Sequence, residues 1–121
     1  MKVYVDDIRD PKNYLTPELA EGIVWLKEAW EARNFLVDNQ AEIEVLHLDN
    51  YLGDSHITGK DLFFMVAGET MWGGREEWAN LKQIYLHSSD EDIVEELMEN
   101  YAEPLLKAGV ELINNSQERN Y

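Results

Sequence analysis

Three groups of residues in this chain are of types that do chemistry, and each stands directly behind a short apolar run. Val3-Tyr4-Val5 runs into Asp6-Asp7-Ile8-Arg9-Asp10-Pro11, the segment Ile43 to Leu48 runs into Asp49, and Gln83 to Leu86 runs into His87-Ser88. Carboxylates brought together repel one another, and the usual remedy is a hard divalent cation with oxygen ligands, commonly Mg²⁺. Asp6, Asp7 and Asp49 are the candidate metal ligands. Arg9 carries a planar fork suited to a phosphate, and equally suited to a structural bridge to Asp6 or Asp10. His87 has the side chain of a general acid or base near neutral pH, although a histidine at a strand end is as often simply hydrogen-bonded. An Asp-Asp pair alone is also an ordinary turn or helix-cap signal. His47, inside a strand, and His56, in a loop, have weaker claims. Trp72 and Trp78 are suited to stacking on a base or, more commonly, to anchoring a loop.

These groups form a site only if the chain brings their strand ends together. Lys2 to Val5 reads as a short buried strand, and Ile43 to Leu48 and Gln83 to Leu86 repeat the pattern. Pro11 to Pro17 has two prolines and no sustained period, which predicts a loop or one broken turn. From Gly22 a second strand opens, followed by a helix over 29–39 with Trp30, Ala32, Phe35 and Leu36 on its apolar face. The stripe Leu19, Ile23, Leu26, Trp30 also permits one helix over 17–39. Lys60 to Ala67 is apolar enough for a buried helix stopped at Gly68, and Met71 to Trp78 has loop chemistry. Ser89 or Asp90 suits an N-cap for an amphipathic helix in which Ile93, Val94, Leu97, Met98 and Tyr101 recur at three- and four-residue steps. Pro104 should kink or end that helix, leaving Leu105 to Ile113 as a further turn or a last strand. Strands alternating with helices predict a parallel sheet, and in such sheets ligands gather at the carboxyl ends of the strands. Asp6, Asp7, Asp49, His87 and Ser88 then share one edge.

Composition narrows the function. The 121 residues suffice for one domain, read as 1–113 with a flexible polar tail over 114–121. There is no cysteine, which removes disulfides, thiolate metal sites and cysteine nucleophiles. Twenty-five acidic against ten basic side chains give a formal charge of −15, so non-specific association with nucleic acid is disfavoured. No signal peptide and no membrane span are expected, and the chain reads as cytoplasmic.

The motifs resemble a known family. Asp6-Asp7, then Asp49, then the hydroxyl of Ser88 after successive strands look like the receiver domain of two-component response regulators. More closely, DDIRDP, LDNYLG, the pair Thr58-Gly59 and LHS are similar to the cyclic-phosphate processing receiver domain, over residues 1 to about 90. The resemblance implies a receiver-like (flavodoxin-like) α/β three-layer sandwich with a short, mostly parallel sheet and a truncated or absent first helix. It implies Mg²⁺ on Asp6, Asp7 and Asp49, substrate contacts from Arg9, Thr58 and Ser88, and a catalytic group of His87, Ser88 and Asp49. His87 would then protonate the leaving alkoxide of a cyclic phosphate, and the substrate would be a phosphate-containing small molecule or an RNA end. Asn50, Tyr51 and Asp90 depart from the family pattern, Asp54 is a conceivable substitute for the acid absent at Tyr51, and the lysine of ordinary receivers has only Lys107 as a weak counterpart. The departures and the charge fit a second reading, an inactive acidic inhibitor of a basic, nucleic-acid-binding protein. Phosphorylation-dependent signalling ranks third.

Overall fold

The computed structural model describes residues 1–49, 56–72, 77–87 and 91–115. Five strands, β1 (Lys2–Val5), β2 (Ile23–Leu26), β3 (Val45–Leu48), β4 (Gln83–Leu86) and β5 (Glu111–Asn114), form one sheet in the order β2-β1-β3-β4-β5. Every neighbouring pair is parallel, so the sheet is wholly rather than mostly parallel. This is the flavodoxin-like strand order, whose switch point lies between β1 and β3.

The connections follow from the sequence in most places. β1 and β2 are joined by two single helical turns, α1 (Pro11–Tyr14) and α2 (Pro17–Ala20), where the sequence predicted a loop or one broken turn. Each turn starts with proline in its first helical position, where a missing N–H costs nothing, and is capped by the side chain of Asp10 or Thr16. The first helix is thus truncated to two fragments. Strand β2 and helix α3 (Ala29–Asn39) are separate, which settles the choice against one helix over 17–39; the Glu28 carboxylate breaks the chain between them by accepting the N–H groups of Trp30 and Glu31. On α3, Ala29, Ala32 and Leu36 are buried and Phe35 packs against the core, whereas Trp30 points outward.

Helix α4 (Gly59–Trp72) does not stop at Gly68. Glycine weakens a helix without breaking it, and the buried Val66, Ala67 and Thr70 on either side carry this one through. Met71 and Trp72 therefore end the helix rather than start a loop. Trp78 is the expected anchor, fully buried with its indole N–H on Glu69 at 2.7 Å, but Trp72 is 78% exposed. Helix α5 (Glu91–Lys107) passes through Pro104, held by the fully buried Leu105 in the next position. It ends at Lys107 and is closed off by Gly109, whose φ of 92° lets Val110 N–H reach back to the Leu105 carbonyl at 2.8 Å. Residues 105–113 are thus the helix end plus most of the last strand. The expected tail starts too early, because Asn114 lies in β5 and Asn115 is buried; residues 116–121 lie outside the described set, as do Ser89 and Asp90, the expected caps of α5.

Strand alternation gives the sheet two unlike faces. Val3, Val5, Leu46, Leu48, Ile84, Leu86 and Leu112 point one way, into a single cluster with Leu36 of α3, Phe63 and Val66 of α4, and Val94, Leu97 and Leu105 of α5. Tyr4, His47 and Tyr85 point the other way, and none belongs to that cluster. Right-handed crossovers require this division: β1 to β2 runs toward one sheet edge and the later connections toward the other, so α1 and α2 fall opposite α3, α4 and α5. A 2.8 Å bond from Lys2 Nζ to the Glu18 carbonyl ties α2 to the second face. The three layers are therefore helices α3 to α5, the sheet, and the short helical turns. Among the described residues no helix is long and apolar enough to cross a membrane.

Candidate functional site

Asp6, Asp49, His87 and Asn115 each stand one residue beyond their strands. Their backbone N–H groups continue the parallel ladder, donating to Leu26 (3.1 Å), Val5 (3.0 Å), Leu48 (2.9 Å) and Leu86 (3.0 Å) respectively. The four residues therefore form one row along the carboxyl edge, two positions after Tyr4, His47, Tyr85 and Ile113, with side chains on the same sheet face. That register turns residues remote in sequence, His87 and Asn115 among them at a separation of 28, into neighbours.

The acidic half of the row is a candidate cation site. Asp6, Asp7 and Asp49 each offer a carboxylate oxygen, and these atoms lie within 4.8 Å of one another. Opposite ligands of an Mg²⁺ ion stand about 4 Å apart, since each Mg–O bond is about 2.1 Å, so small rotations of the carboxylates close the set around a hard cation. The Arg9 guanidinium already occupies the cluster, with Nη1 at 3.3 Å from Asp49 Oδ2 and 3.5 Å from Asp6 Oδ2. Three carboxylates against one guanidinium leave two negative charges, which matches a divalent ion. Arg9 makes the bridge to Asp6 that the sequence allowed, and among the described residues its second partner is Asp49 rather than Asp10.

Asp6 serves the turn as well as the cluster. Its Oδ1 accepts the N–H groups of Ile8 and Arg9, both at 3.0 Å, while Oδ2 is 3.4 Å from the Tyr4 hydroxyl. The Trp25 indole N–H donates to the Asp6 carbonyl at 2.8 Å and fixes the same turn from β2. Asp6 is fully buried and Asp49 nearly so. Buried carboxylates of this kind are retained only when charged or hydrogen-bonding groups compensate them.

The histidine half is a buried network. His87 Nε2 lies 2.7 Å from His47 Nδ1, and His87 Nδ1 lies 3.2 Å from Asn115 Nδ2. Each imidazole nitrogen has one in-plane hydrogen-bonding position, so both nitrogens of His87 are engaged, and meeting a substrate atom requires giving one partner up. The rings of His47 and Tyr85 stack with centroids 4.5 Å apart, and Tyr4 packs on both histidines at 5.7–5.8 Å. Among the described residues His47 Nε2 is buried without a hydrogen-bond partner. Burial, assisted by the nearby Lys2 charge, lowers the His47 pKa from 6.5 to about 3 and keeps the ring neutral at neutral pH.

The remaining expected site residues divide. The Thr58 hydroxyl is used in a reciprocal cap of α4: it accepts the Asp61 N–H at 3.2 Å, and Asp61 Oδ2 accepts the Thr58 N–H at 2.9 Å. Gly59 and Lys60, the first residues of that helix, border the same small cleft as Asp49. Lys107 pairs with Glu103 in the last turn of α5 and enters β5 from its amino end, the edge opposite the acids. His56 is exposed. Ser88 and the departures at Asn50, Tyr51 and Asp90, together with Leu52, Gly53 and Asp54, lie outside the described residues.

Reading the sequence strand by strand missed Asn115 and underrated His47. The signal was a spacing of two: Tyr4-x-Asp6, His47-x-Asp49 and Tyr85-x-His87 each place a ring and a strand-end polar group on one face.

A wholly parallel sheet in flavodoxin-like order, with a cluster of carboxylates at its carboxyl edge, defines a receiver-type α/β domain. The model of the cyclic-phosphate processing receiver domain matches residues 1–103, and the chain belongs to that family. No curated protein and no solved structure matches it significantly.

Proposed function

We propose that this receiver domain binds a divalent cation of the Mg²⁺ class together with a phosphate group, and that it processes cyclic phosphates or phosphate ends of nucleotides or RNA. The observation that carries the reading is the meeting of Asp6, Asp7 and Asp49 at one sheet edge with oxygen atoms within 4.8 Å. Membership of the family supports the substrate class. Asp6, Asp7 and Asp49 are the residues that would hold the ion. Bound there, Mg²⁺ supplies Lewis-acid polarisation of a phosphate oxygen.

The chain's own groups do the rest. Arg9 offsets negative charge beside the carboxylates, and its fork suits two phosphate oxygens. Ser88, following His87, is the proposed hydroxyl contact. His87 acts by position in this reading: bound to His47 and Asn115, it fixes the strand end from which Ser88 continues. The beginning of α4 beside Asp49 adds the positive end of a helix dipole.

The test combines binding and turnover. Calorimetric titration with Mg²⁺ should give a binding isotherm that Asp49→Asn weakens at least tenfold. Incubation with 2′,3′-cyclic nucleotides and Mg²⁺ should open the ring to a phosphomonoester, followed by ³¹P NMR. Absence of turnover together with an unchanged isotherm in Asp49→Asn refutes the proposal.

A further inference from the structure

We infer that Arg9 is the resident counter-cation of the carboxylate cluster and the group that couples binding of a divalent cation to binding of a phosphate. The inference rests on the cation site proposed above and adds its regulation. Arg9 starts from a fixed root, because its backbone N–H is held by Asp6 Oδ1 at 3.0 Å. From there the guanidinium reaches Asp49 at 3.3 Å and Asp6 at 3.5 Å while remaining 21% exposed. It therefore stands where a positive charge is wanted and still has an outward path.

A divalent ion taken up by Asp6, Asp7 and Asp49 brings two positive charges to within a few ångströms of Nη1, at a site where both aspartates the guanidinium contacts are buried. Like charges at that distance repel strongly when water screens them poorly. Arg9 must then leave the carboxylates, and cation binding alone works against an ion pair already present. A phosphate on the open side changes the balance, because the displaced fork gains a doubly hydrogen-bonded anion in place of the aspartates. Phosphate alone meets the net negative charge of the cluster. Each ligand therefore improves the site for the other, and by linkage the improvement is the same in both directions. The domain responds to the pair, a divalent cation with a phosphate, more strongly than to either component.

The experiment is calorimetric titration of the full chain with Mg²⁺, with and without inorganic phosphate, for the wild type, Arg9→Gln and Arg9→Lys. Removing the competing charge in Arg9→Gln should tighten Mg²⁺ binding in the absence of phosphate by roughly 5–150-fold, the usual span of such couplings. It should also shrink the enhancement that phosphate gives. In the absence of metal Arg9→Gln should melt at a lower temperature than the wild type, and Mg²⁺ should raise its melting temperature by more. Arg9→Lys keeps the charge and loses the fork, so its Mg²⁺ affinity should stay near that of the wild type while the phosphate enhancement falls; this variant tests the coupling even where Arg9→Gln folds poorly. Equal or weaker Mg²⁺ affinity in Arg9→Gln, or full phosphate enhancement in Arg9→Lys, overturns the inference. If Asp49→Asn nevertheless abolishes Mg²⁺ binding, the cation site itself stands. No Mg²⁺ binding by either the wild type or Arg9→Gln overturns both.

Discussion

Replacing His47 by asparagine should flatten the dependence of stability on pH across the mildly acidic range. His47 is fully buried, and its pKa falls from 6.5 to about 3, chiefly through burial and secondarily through Lys2. Between those values the unfolded chain binds a proton at this position that the folded chain does not, so stability is fully present above pH 6.5 and is lost as pH falls toward 3. At about pH 5 an unfolded imidazole is protonated roughly thirtyfold over neutral, which corresponds to a loss of about 2 kcal/mol relative to about pH 7.5. The figure hardly depends on the folded value as long as that value stays well below 5. Asparagine is uncharged and puts a polar atom near the position of Nδ1, so His87 keeps a neighbour to bond. The assay is urea unfolding followed by far-UV circular dichroism at the two pH values. Wild type should lose about 2 kcal/mol more than His47→Asn on acidification, whatever the absolute stability of the variant. Parallel losses, within about 0.5 kcal/mol, would mean that the ring is protonated or hydrated in the folded state, and would refute the buried neutral network.

Three further outcomes follow from particular contacts. Asp6→Ala removes the acceptor of two backbone N–H groups and one partner of Arg9 in a fully buried position, so urea unfolding should show a loss of about 3–5 kcal/mol; a loss under about 1 kcal/mol contradicts the described turn. Thr58→Ala should cost about 1 kcal/mol through loss of the α4 cap and leave Mg²⁺ affinity unchanged, which calorimetry checks; a large fall in affinity would return Thr58 to the binding site. Gly68→Ala should raise stability by about 1 kcal/mol in thermal unfolding, because among the described residues the new methyl meets only the Trp72 ring at 3.8 Å, an ordinary contact, in mid-helix; destabilisation would mean that the helix is broken there.

Local pattern carried much of the fold. Lys2–Val5 and Gln83–Leu86 are strands as their β-branched and aromatic residues imply, and α3 covers 29–39 as read. The failures have a common cause. Gly68 and Pro104 act as breakers in an isolated peptide, yet each lies inside a helix here, because the buried residues beside them gain more from packing than the local penalty costs. Trp30 looked like a core residue by helical spacing but is 53% exposed, since the sheet face beneath α3 is filled by Ala29, Ala32 and Leu36.

The sequence by itself determined which residues end the strands, and therefore that Asp6, Asp49 and His87 would share an edge if the strands lay parallel and adjacent. Only the tertiary structure decided what those residues meet there. Strand order and register lie in hydrogen bonds between segments remote along the chain, and these bring Asp49 to Arg9, His87 to His47, and Asn115 to His87. Side-chain types restrict which contacts are chemically favourable, but the partner actually reached depends on a register that no local stretch of sequence contains.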